Sequence, residues 1–212
     1  MNKRIYPLVC VLLGFALTGW WIIAIMEGKV LLADEWTRKP VEWVAGTPIY
    51  SFFRFMTNFG SEFFMYPFTF IMAIILVILY RDWLPGLIFA GGTLSGHLVN
   101  KGIKIIVARE RPSILAAANA EGFSFPSGHA MITLIAYGLL LYFITKKLRT
   151  QKSILIARVI LIGMIILIGI SRYVINVHYI TDILAGYFYG LLLLYALIYL
   201  YEKINHLRGR GI

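Results

Sequence analysis

Six long apolar runs constrain this chain more than any other feature of its sequence. A membrane-spanning helix needs roughly 20 mainly apolar residues, and each run approaches that length between charged or turn-forming residues. The predicted spans cover residues 6–26, 63–80, 87–103, 129–145, 154–170 and 183–201. Of the 212 residues, 60% are hydrophobic and only 14% are charged, which is well outside the balance of soluble domains. The sequence therefore predicts an all-α, polytopic membrane protein with six transmembrane helices.

The apolar runs leave little of the chain for a second domain. A soluble domain needs about fifty residues or more, so we predict a single domain over residues 1–212. The stretch Met1–Arg4 before the first run resembles the start of a secretory signal, but the run exceeds the roughly 7 to 15 residues of a signal core. We therefore expect it to remain as the first span. Cys10 is the only cysteine and lies inside this run, so we predict neither an intramolecular disulfide nor a thiolate metal site.

One long connection, Glu27–Ser61, mixes charged residues with aromatic ones such as Trp36 and Trp43. This composition is typical of the headgroup zone of a membrane, where aromatic rings anchor. We predict short interfacial helices in this connection. A substrate gate or lid is the alternative function for it, but anchoring alone accounts for the composition.

The basic residues follow the predicted topology. The formal net charge is +10, but the Lys and Arg residues are scattered between apolar runs and form no continuous basic face, which argues against a nucleic-acid partner. With the N-terminus inside, the inner segments contain Lys3, Arg4, Arg81, Lys146, Lys147, Arg149, Lys152, Arg158, Lys203, Arg208 and Arg210. The only acidic residues in these inner segments are Asp82 and Glu202. This positive-inside pattern predicts that both termini are cytoplasmic.

The same topology places the connection between the third and fourth spans, and the one between the fifth and sixth spans, outside the membrane. With the span ends beside them, these two connections hold polar residues that membrane burial does not explain. They are Lys104, Arg109, Glu110, Arg111, Ser127, His129, Arg172, His178 and Asp182. A charge close to the hydrocarbon costs roughly 2.5 to 3.5 kcal/mol on insertion scales, so several charges at one membrane level need a compensating partner. Because cations outnumber acids among these residues, the sequence predicts that they bind an anion.

Three blocks of residues make this anion site specific. They are Lys104 with Arg111-Pro112 after six residues, then Pro126-Ser127-Gly128-His129, then Ser171-Arg172 with His178 and Asp182. In these blocks the chain resembles the type 2 phosphatidic acid phosphatase (PAP2) family, whose signature K-x6-RP, PSGH and SR-x5-H-x3-D is matched without substitution. At average residue usage, a chance match to these positions is far below roughly one in a million.

The predicted anion site combines a helix start with three cations. The PSGH block opens the fourth span, where the backbone N–H groups of Ser127, Gly128 and the following histidine, with the helix dipole, suit phosphate oxygens, and Gly128 permits close approach. A plain Pro-Ser helix cap is the alternative for this block taken alone. Lys104, Arg111 and Arg172 supply the positive charge that a phosphoryl group needs, and arginine can hold two oxygens at once.

His178 and Asp182 are the candidate nucleophile and its partner. At a spacing of four residues the carboxylate can reach one imidazole nitrogen and leave the other free. The family resemblance implies that His178 attacks phosphorus to form a phosphohistidine and that Asp182 orients it. It also implies that His129 protonates the leaving lipid oxygen and then activates water as a base.

Other polar residues receive a structural interpretation. We expect Arg109 and Glu110 to pair with lipid headgroups, and His97 and His206 to be satisfied structural groups. The outer acids, Glu121 among them, do not form the dense carboxylate and histidine grouping of a two-metal phosphatase. We therefore predict no metal and no other cofactor.

A phosphate site at headgroup level predicts a lipid phosphate as substrate. For a small six-span chain of bacterial type, the resemblance implies hydrolysis of phosphatidylglycerophosphate to phosphatidylglycerol and phosphate. Undecaprenyl diphosphate, in the recycling of the cell-wall lipid carrier, and phosphatidic acid stay open as substrates. The expected location is the cell membrane, with the site on its extracytoplasmic face. The expected partners are the lipid substrate and membrane lipids, with no obligatory protein partner.

Functions of other classes are also compatible with parts of the pattern. A lipid phosphotransferase would use the same histidine intermediate and pass the phosphoryl group to an acceptor other than water. A lipid transporter suits six spans, but it leaves the nucleophile, the acid and the orienting carboxylate unexplained. A soluble vanadate-dependent haloperoxidase shares the logic of the anion site, yet the apolar spans argue against a soluble relative.

The topology makes a testable prediction. In a variant without Cys10, a cysteine introduced at Ala118 is expected to react with a membrane-impermeant maleimide added to intact cells, because the connection between the third and fourth spans is predicted outside. A cysteine at Thr150 is expected to react only after the membrane is permeabilised. The reverse labelling pattern would place the site on the cytoplasmic face.

Overall fold

The computed structural model describes residues 5–112 and 122–209. Within these ranges every regular element is a helix and no strand is present, so the all-α prediction is confirmed for them. Several positions used in the sequence interpretation lie outside the described residues: Lys3, Arg4, Ala118, Glu121 and Arg210.

Long helices correspond to each predicted span. In chain order the elements are α1 (Ile5–Met26), α2 (Leu32–Trp36), α3 (Arg38–Val44), α4 (Pro48–Met56), a 3₁₀ helix (Thr57–Gly60), α5 (Glu62–Tyr80), α6 (Trp83–Val107), α7 (Gly128–Thr145), α8 (Gln151–Val174) and α9 (Ile180–Leu207). Short helices are therefore present in the long connection, where the sequence predicted them.

Among the described residues, five helices are long and apolar enough to cross a membrane: α1, α5, α7, α8 and α9. The predicted span 87–103 lies inside α6, which has 25 residues but is not one of these five. Polar side chains such as His97, Asn100 and Lys101 lower the hydropathy of its second half. The structure thus supports five spans by length and composition, and a sixth through α6 stays a prediction.

Several helices begin earlier than their apolar runs because polar side chains cap them. The Asp82 side chain accepts a hydrogen bond from the backbone N–H of Leu84 at 3.2 Å, so α6 begins at Trp83. The Thr150 hydroxyl accepts one from the N–H of Ser153 at 3.1 Å, which starts α8. Such caps satisfy N–H groups that have no intrahelical acceptor, and hydropathy does not register them.

Helix α7 is the centre of the bundle and packs against α6, α8 and α9. Its side chains Met131, Ile135, Leu139 and Phe143, spaced four residues apart, are fully buried. Helix α9 approaches the start of α7 closely at Gly186, where a Cβ would lie 2.7 Å from the Ser127 carbonyl oxygen. A small residue at such a crossing lets two backbones meet. This contact places the first turns of α7 and α9 side by side.

The opposite end of the bundle carries the charges assigned to the inner segments. Arg208 donates to Asp82 at 2.9 Å, and Lys146 pairs with Glu202. Both acids of the predicted inner segments are thus paired with cations at the end of α7 that lies away from the three motif blocks.

Candidate active site

The three motif blocks meet at one end of the bundle. Lys104 lies in the last turn of α6, His129 in the first turn of α7, Arg172 in the last turn of α8 and Asp182 in the first turn of α9. The helices run so that α7 and α9 begin where α6 and α8 end. His129 lies within electrostatic range of four other motif residues: Lys104, Arg111, Arg172 and His178. The predicted convergence of these residues is therefore observed.

His178 contacts Asp182, although not through helical spacing as the sequence suggested. The two residues are joined by the imidazole Nδ1 and the carboxylate Oδ2, which are 3.2 Å apart. His178 lies before α9, because Tyr179 has an extended backbone with φ −75° and ψ 158°. The N–H of Tyr179 donates to the same Oδ2 at 2.9 Å. Asp182 thus holds both the side chain and the backbone that precede its own helix.

A tight turn after α8 returns the chain to the site. The carbonyl oxygen of Arg172 accepts hydrogen bonds from the N–H groups of Val177 and His178, at 3.1 and 3.2 Å. Asn176 has a φ of 57°, in the left-handed region that Asn tolerates better than most residues. The turn therefore holds the candidate nucleophile beside the arginine that ends α8.

Arg111 contacts the imidazole nitrogen on the side away from Asp182. Its Nη1 lies 3.2 Å from Nε2 of His178 and donates to the carbonyl oxygen of Val177 at 2.8 Å. Because a guanidinium can only donate, Nε2 must accept, and the ring proton is then on Nδ1, where it faces the carboxylate. This hydrogen-bond network assigns the lone pair to Nε2, which suits the predicted role of His178 as a nucleophile.

The surroundings of His178 favour its neutral form. Burial is the main cause that lowers its pKa well below the ordinary value, and the positive charges of Arg111, Arg172 and Lys104 lower it further. A hydrogen bond with the backbone of Ser124 raises the pKa, but it is the smallest of these contributions. The imidazole is therefore uncharged at neutral pH, as a nucleophile must be.

Arg172 presents a buried donor to the site. Its side chain is 6% exposed, and Nη1 donates to the Thr57 hydroxyl at 2.9 Å. Its Nε is buried and has no hydrogen-bond partner among the described residues. Buried N–H groups are almost always hydrogen-bonded, so this donor is suited to an acceptor such as a phosphate oxygen.

The PSGH block differs from the prediction at Ser127. The backbone N–H of Ser127 is not available to phosphate, since it donates to the carbonyl oxygen of Asp182 at 2.9 Å. Its hydroxyl caps α7 by accepting from the N–H of Ala130 at 3.4 Å, and the residue is fully buried. Ser127 therefore joins the starts of α7 and α9. The N–H groups of Gly128 and His129, in the first turn of α7, have no intrahelical acceptor and remain suited to an anion.

Asn100 supports this helix start and was missed in the sequence. Its Nδ2 donates to the carbonyl oxygen of Pro126 at 3.1 Å, and its Oδ1 lies 3.1 Å from where a Cβ on Gly128 would be. The close approach that Gly128 permits is thus taken by Asn100. A signal was available, because Asn100 precedes Lys104 by four residues and so shares its face of α6.

Arg109 also differs from its prediction. It does not pair with lipid headgroups, because its side chain is only 7% exposed and lies between two carboxylates. Its Nη1 is 2.6 Å from Oδ1 of Asp182, and its Nη2 is 2.6 Å from Oδ2 of Asp34. Nothing in the sequence pattern singled out Asp34, which belongs to α2 in the long connection.

Two histidines outside the motifs show different environments. His97 was expected to be satisfied, but its buried Nε2 has no partner among the described residues, and its ring lies against Tyr66 with centroids 5.3 Å apart. His206 is exposed near the end of α9. Within the described ranges no group of three or more His, Cys, Asp or Glu side chains is arranged to hold a metal ion, and metal-independent chemistry stays a prediction.

Comparison with known proteins identifies relatives of this chain. The model of the PAP2 superfamily matches residues 85–206, which contain all three motif blocks. The chain is 31% identical over 188 residues to phosphatidylglycerophosphatase B of Bacillus subtilis (strain 168), covering 88% of this chain and 86% of that protein. It also resembles the crystal structure of a transmembrane PAP2-type phosphatidylglycerolphosphate phosphatase from Bacillus subtilis, with a TM-score of 0.77 and 27% identity. That match covers 87% of this chain and 94% of the other.

The lowered pKa of His178 predicts a pH dependence of stability. Below about pH 6.5 the unfolded chain binds a proton at this histidine while the folded protein does not, so stability is complete above that pH and falls as the pH decreases. The free energy of unfolding should lose up to about 1.4 kcal/mol per pH unit from this group. We expect Tm in detergent to fall more steeply between about pH 7.5 and pH 5.5 for the unmodified protein than for His178→Gln.

The comparison with His178→Gln removes the contribution of every other titrating group, because both proteins contain them. Parallel Tm curves for the two proteins would contradict the assigned direction of the pKa shift.

Proposed function

The chain belongs to the PAP2 superfamily, and from this premise we propose that it hydrolyses phosphatidylglycerophosphate to phosphatidylglycerol and phosphate through a phosphohistidine. One observation carries the reaction. Nε2 of His178 has its lone pair directed at the cation cluster, while Nδ1 is held by Asp182. The choice of lipid is supported by the named activity of the relative that is 31% identical.

Phosphate binding uses hydrogen-bond donors and a positive charge that several helices bring to the site. The Nε of Arg172 and the N–H groups that begin α7 are supplied by two helices, and Lys104 adds a second cationic side chain. Arg111 must exchange its contact with Nε2 for one with a phosphate oxygen, because Nε2 has to face phosphorus. The bound phosphate thus accepts hydrogen bonds from Arg172 and Arg111. Because Arg111 then no longer contacts Nε2, the lone pair of His178 becomes available to attack phosphorus.

In the first chemical step, the lone pair of Nε2 of His178 attacks phosphorus in line. The bond from phosphorus to the lipid oxygen breaks, and protonated His129 gives its proton to that oxygen, which leaves as the hydroxyl of phosphatidylglycerol. The imidazole becomes positively charged, and Asp182 stabilises this charge through Nδ1–H. The cations and the start of α7 stabilise the negative charge that develops on the phosphoryl oxygens.

In the second step, water attacks the phosphohistidine. His129, now neutral, takes a proton from the water as its oxygen bonds to phosphorus, and the bond from phosphorus to Nε2 breaks. Inorganic phosphate leaves, and His178 returns to its neutral form with His129 protonated for the next cycle. No step calls on a metal ion or a redox group.

The membrane location follows the same proposal. The site residues lie at the ends of four helices and therefore at one level, which suits the phosphate of a lipid headgroup. The distribution of basic residues supports six spans with α6 as one of them, cytoplasmic termini and a site on the extracytoplasmic face. The partners we propose are the lipid substrate and the surrounding lipids, without an obligatory protein partner.

The decisive measurement is phosphate release by the purified protein in detergent with added chelator. We expect the highest kcat/KM on phosphatidylglycerophosphate in a panel that also contains phosphatidic acid and undecaprenyl diphosphate. His178→Ala should lower kcat by at least about 10⁴-fold, because it removes the nucleophile. His206→Ala, an exposed histidine far from the site, is the matched control and should keep full activity.

Each other outcome contradicts a defined part of the proposal. A preference for the diphosphate would overturn the substrate, and a product that depends on an added alcohol acceptor would indicate a phosphotransferase. Loss of activity with chelator would overturn the metal-free chemistry. Unchanged release by His178→Ala would overturn the nucleophile.

The role of His129 generates a second prediction, at Gly60. A Cβ at Gly60 would lie 2.8 Å from Cδ2 of His129 and 2.6 Å from Cγ2 of Ile168, so the 3₁₀ helix packs directly on the imidazole. Gly60→Ala must displace that ring, and a misplacement of ~1 Å can cost about 10²-fold in rate. We expect kcat for phosphate release to fall by roughly 10- to 100-fold.

Gly91→Ala is the control, because a Cβ at that position of α6 meets no atom within 4 Å. It should leave kcat unchanged. Full activity of Gly60→Ala would mean that the position of His129 is not critical for proton transfer.

A further inference from the structure

Arg109 lies between two buried carboxylates from distant parts of the chain. Its Nη1 contacts Asp182 and its Nη2 contacts Asp34, each at 2.6 Å. The side chain of Arg109 is 7% exposed, and both carboxylate side chains are 0% exposed. The guanidinium also lies over the ring of Tyr179, with Cζ 3.8 Å from its centroid. This arrangement is fixed from several sides and is separate from the cations that face Nε2 of the nucleophile.

Asp34 is tied to the start of α9 as well as to Arg109. Its Oδ1 accepts from the backbone N–H of Thr181 at 3.1 Å, and its Oδ2 accepts from the Thr181 hydroxyl at 2.7 Å. Thr181 is in the first turn of α9, where N–H groups have no intrahelical acceptor. The Asp34 carboxylate of α2 therefore caps α9 at Thr181, the residue directly before Asp182.

The balance of charge gives Asp34 a role beyond capping. Asp182 alone with Arg109 would form a neutral pair, and such a pair offers little net charge to an imidazole that becomes positive. With Asp34 included, two carboxylates share one guanidinium, so the cluster keeps one net negative charge beside Nδ1 of His178. In a buried site, a fixed charge of this sign stabilises the cationic ring of a phosphohistidine.

We propose that Asp34 is a positioning residue for the nucleophile, acting through Arg109 on Asp182 and through Asp182 on His178. This inference rests on the proposed phosphohistidine chemistry. It also gives a function to part of the connection Glu27–Ser61: α2 supplies the outermost member of a relay that runs from Asp34 to the imidazole.

The test compares Asp34→Asn with Glu35→Gln. Both substitutions remove one carboxylate charge from α2, but Glu35 is exposed whereas Asp34 is buried. We expect Asp34→Asn to lower kcat for release of phosphate from phosphatidylglycerophosphate by roughly 10- to 100-fold, as for partners that orient a reactive histidine, with KM changed by less than about threefold. Rapid-quench measurement should assign the loss to formation of the phosphoenzyme. Glu35→Gln should match the unmodified protein.

A double-mutant cycle separates a relay from a merely structural role. If Asp34 acts through Asp182, then adding Asp34→Asn to Asp182→Asn should lower kcat by less than about threefold further. A full multiplicative loss in the double variant would overturn the relay. So would an unchanged kcat in Asp34→Asn while His178→Ala is inactive, and that result would leave the proposed function intact.

Arg109→Lys provides an independent variant if Asp34→Asn does not fold. Lysine keeps the positive charge but cannot donate in a fork to two carboxylates, so we expect the same fall in kcat with little change in KM. Normal kcat in Arg109→Lys would overturn the inference. If the unmodified protein released no phosphate from any lipid of the panel, the proposed function itself would fail.

Discussion

Charge buried at one end of a helix bundle is the constraint on which the rest of this structure depends. An ionised side chain that leaves water needs a compensating partner or hydrogen bonds, and here the ends of four helices bring several such groups together. Asp182 is the residue where these requirements meet. Its side chain accepts from Arg109, Tyr179 and His178, and its carbonyl oxygen accepts from the N–H of Ser127. The positions of α7, α9 and the loop before α9 are thereby fixed relative to one another.

The connection between α1 and α5 completes the site and does more than join two spans. Thr57 accepts from Arg172, Gly60 packs against His129, and Asp34 accepts from Arg109. Each of these contacts reaches a residue of the candidate active site, or a residue that supports it, from outside the motif blocks. A segment whose composition is explained by anchoring at the interface thus also orders the charged side chains behind it.

The features that could be predicted from the sequence are those that depend on the spacing of residues close together in the chain. The apolar runs predict the long helices, and the motif spacing predicts the contact of His178 with Asp182. That contact is created by the extended backbone of Tyr179 and not by a helical turn. Partners far apart in the chain were beyond such reasoning: Asp34 and Thr181 are 147 residues apart, and no periodicity relates them. The N–H of Ser127 was assigned to phosphate because helix starts favour anions, but the close crossing of α7 and α9 supplied a backbone acceptor first.

The imidazole of His178 lies between opposite charges, and this polarity reconciles two conflicting demands on it. In the proposed reaction, the cations around Nε2 bind the phosphoryl group, yet they also oppose the positive charge that the ring acquires on attack. Once phosphate is bound, its own negative charge offsets those cations. On the other side of the ring, the two carboxylates that share Arg109 keep a negative charge beside Nδ1 throughout. The ring can therefore be neutral before attack and cationic after it, because the field across it favours transfer of its electron pair toward phosphorus.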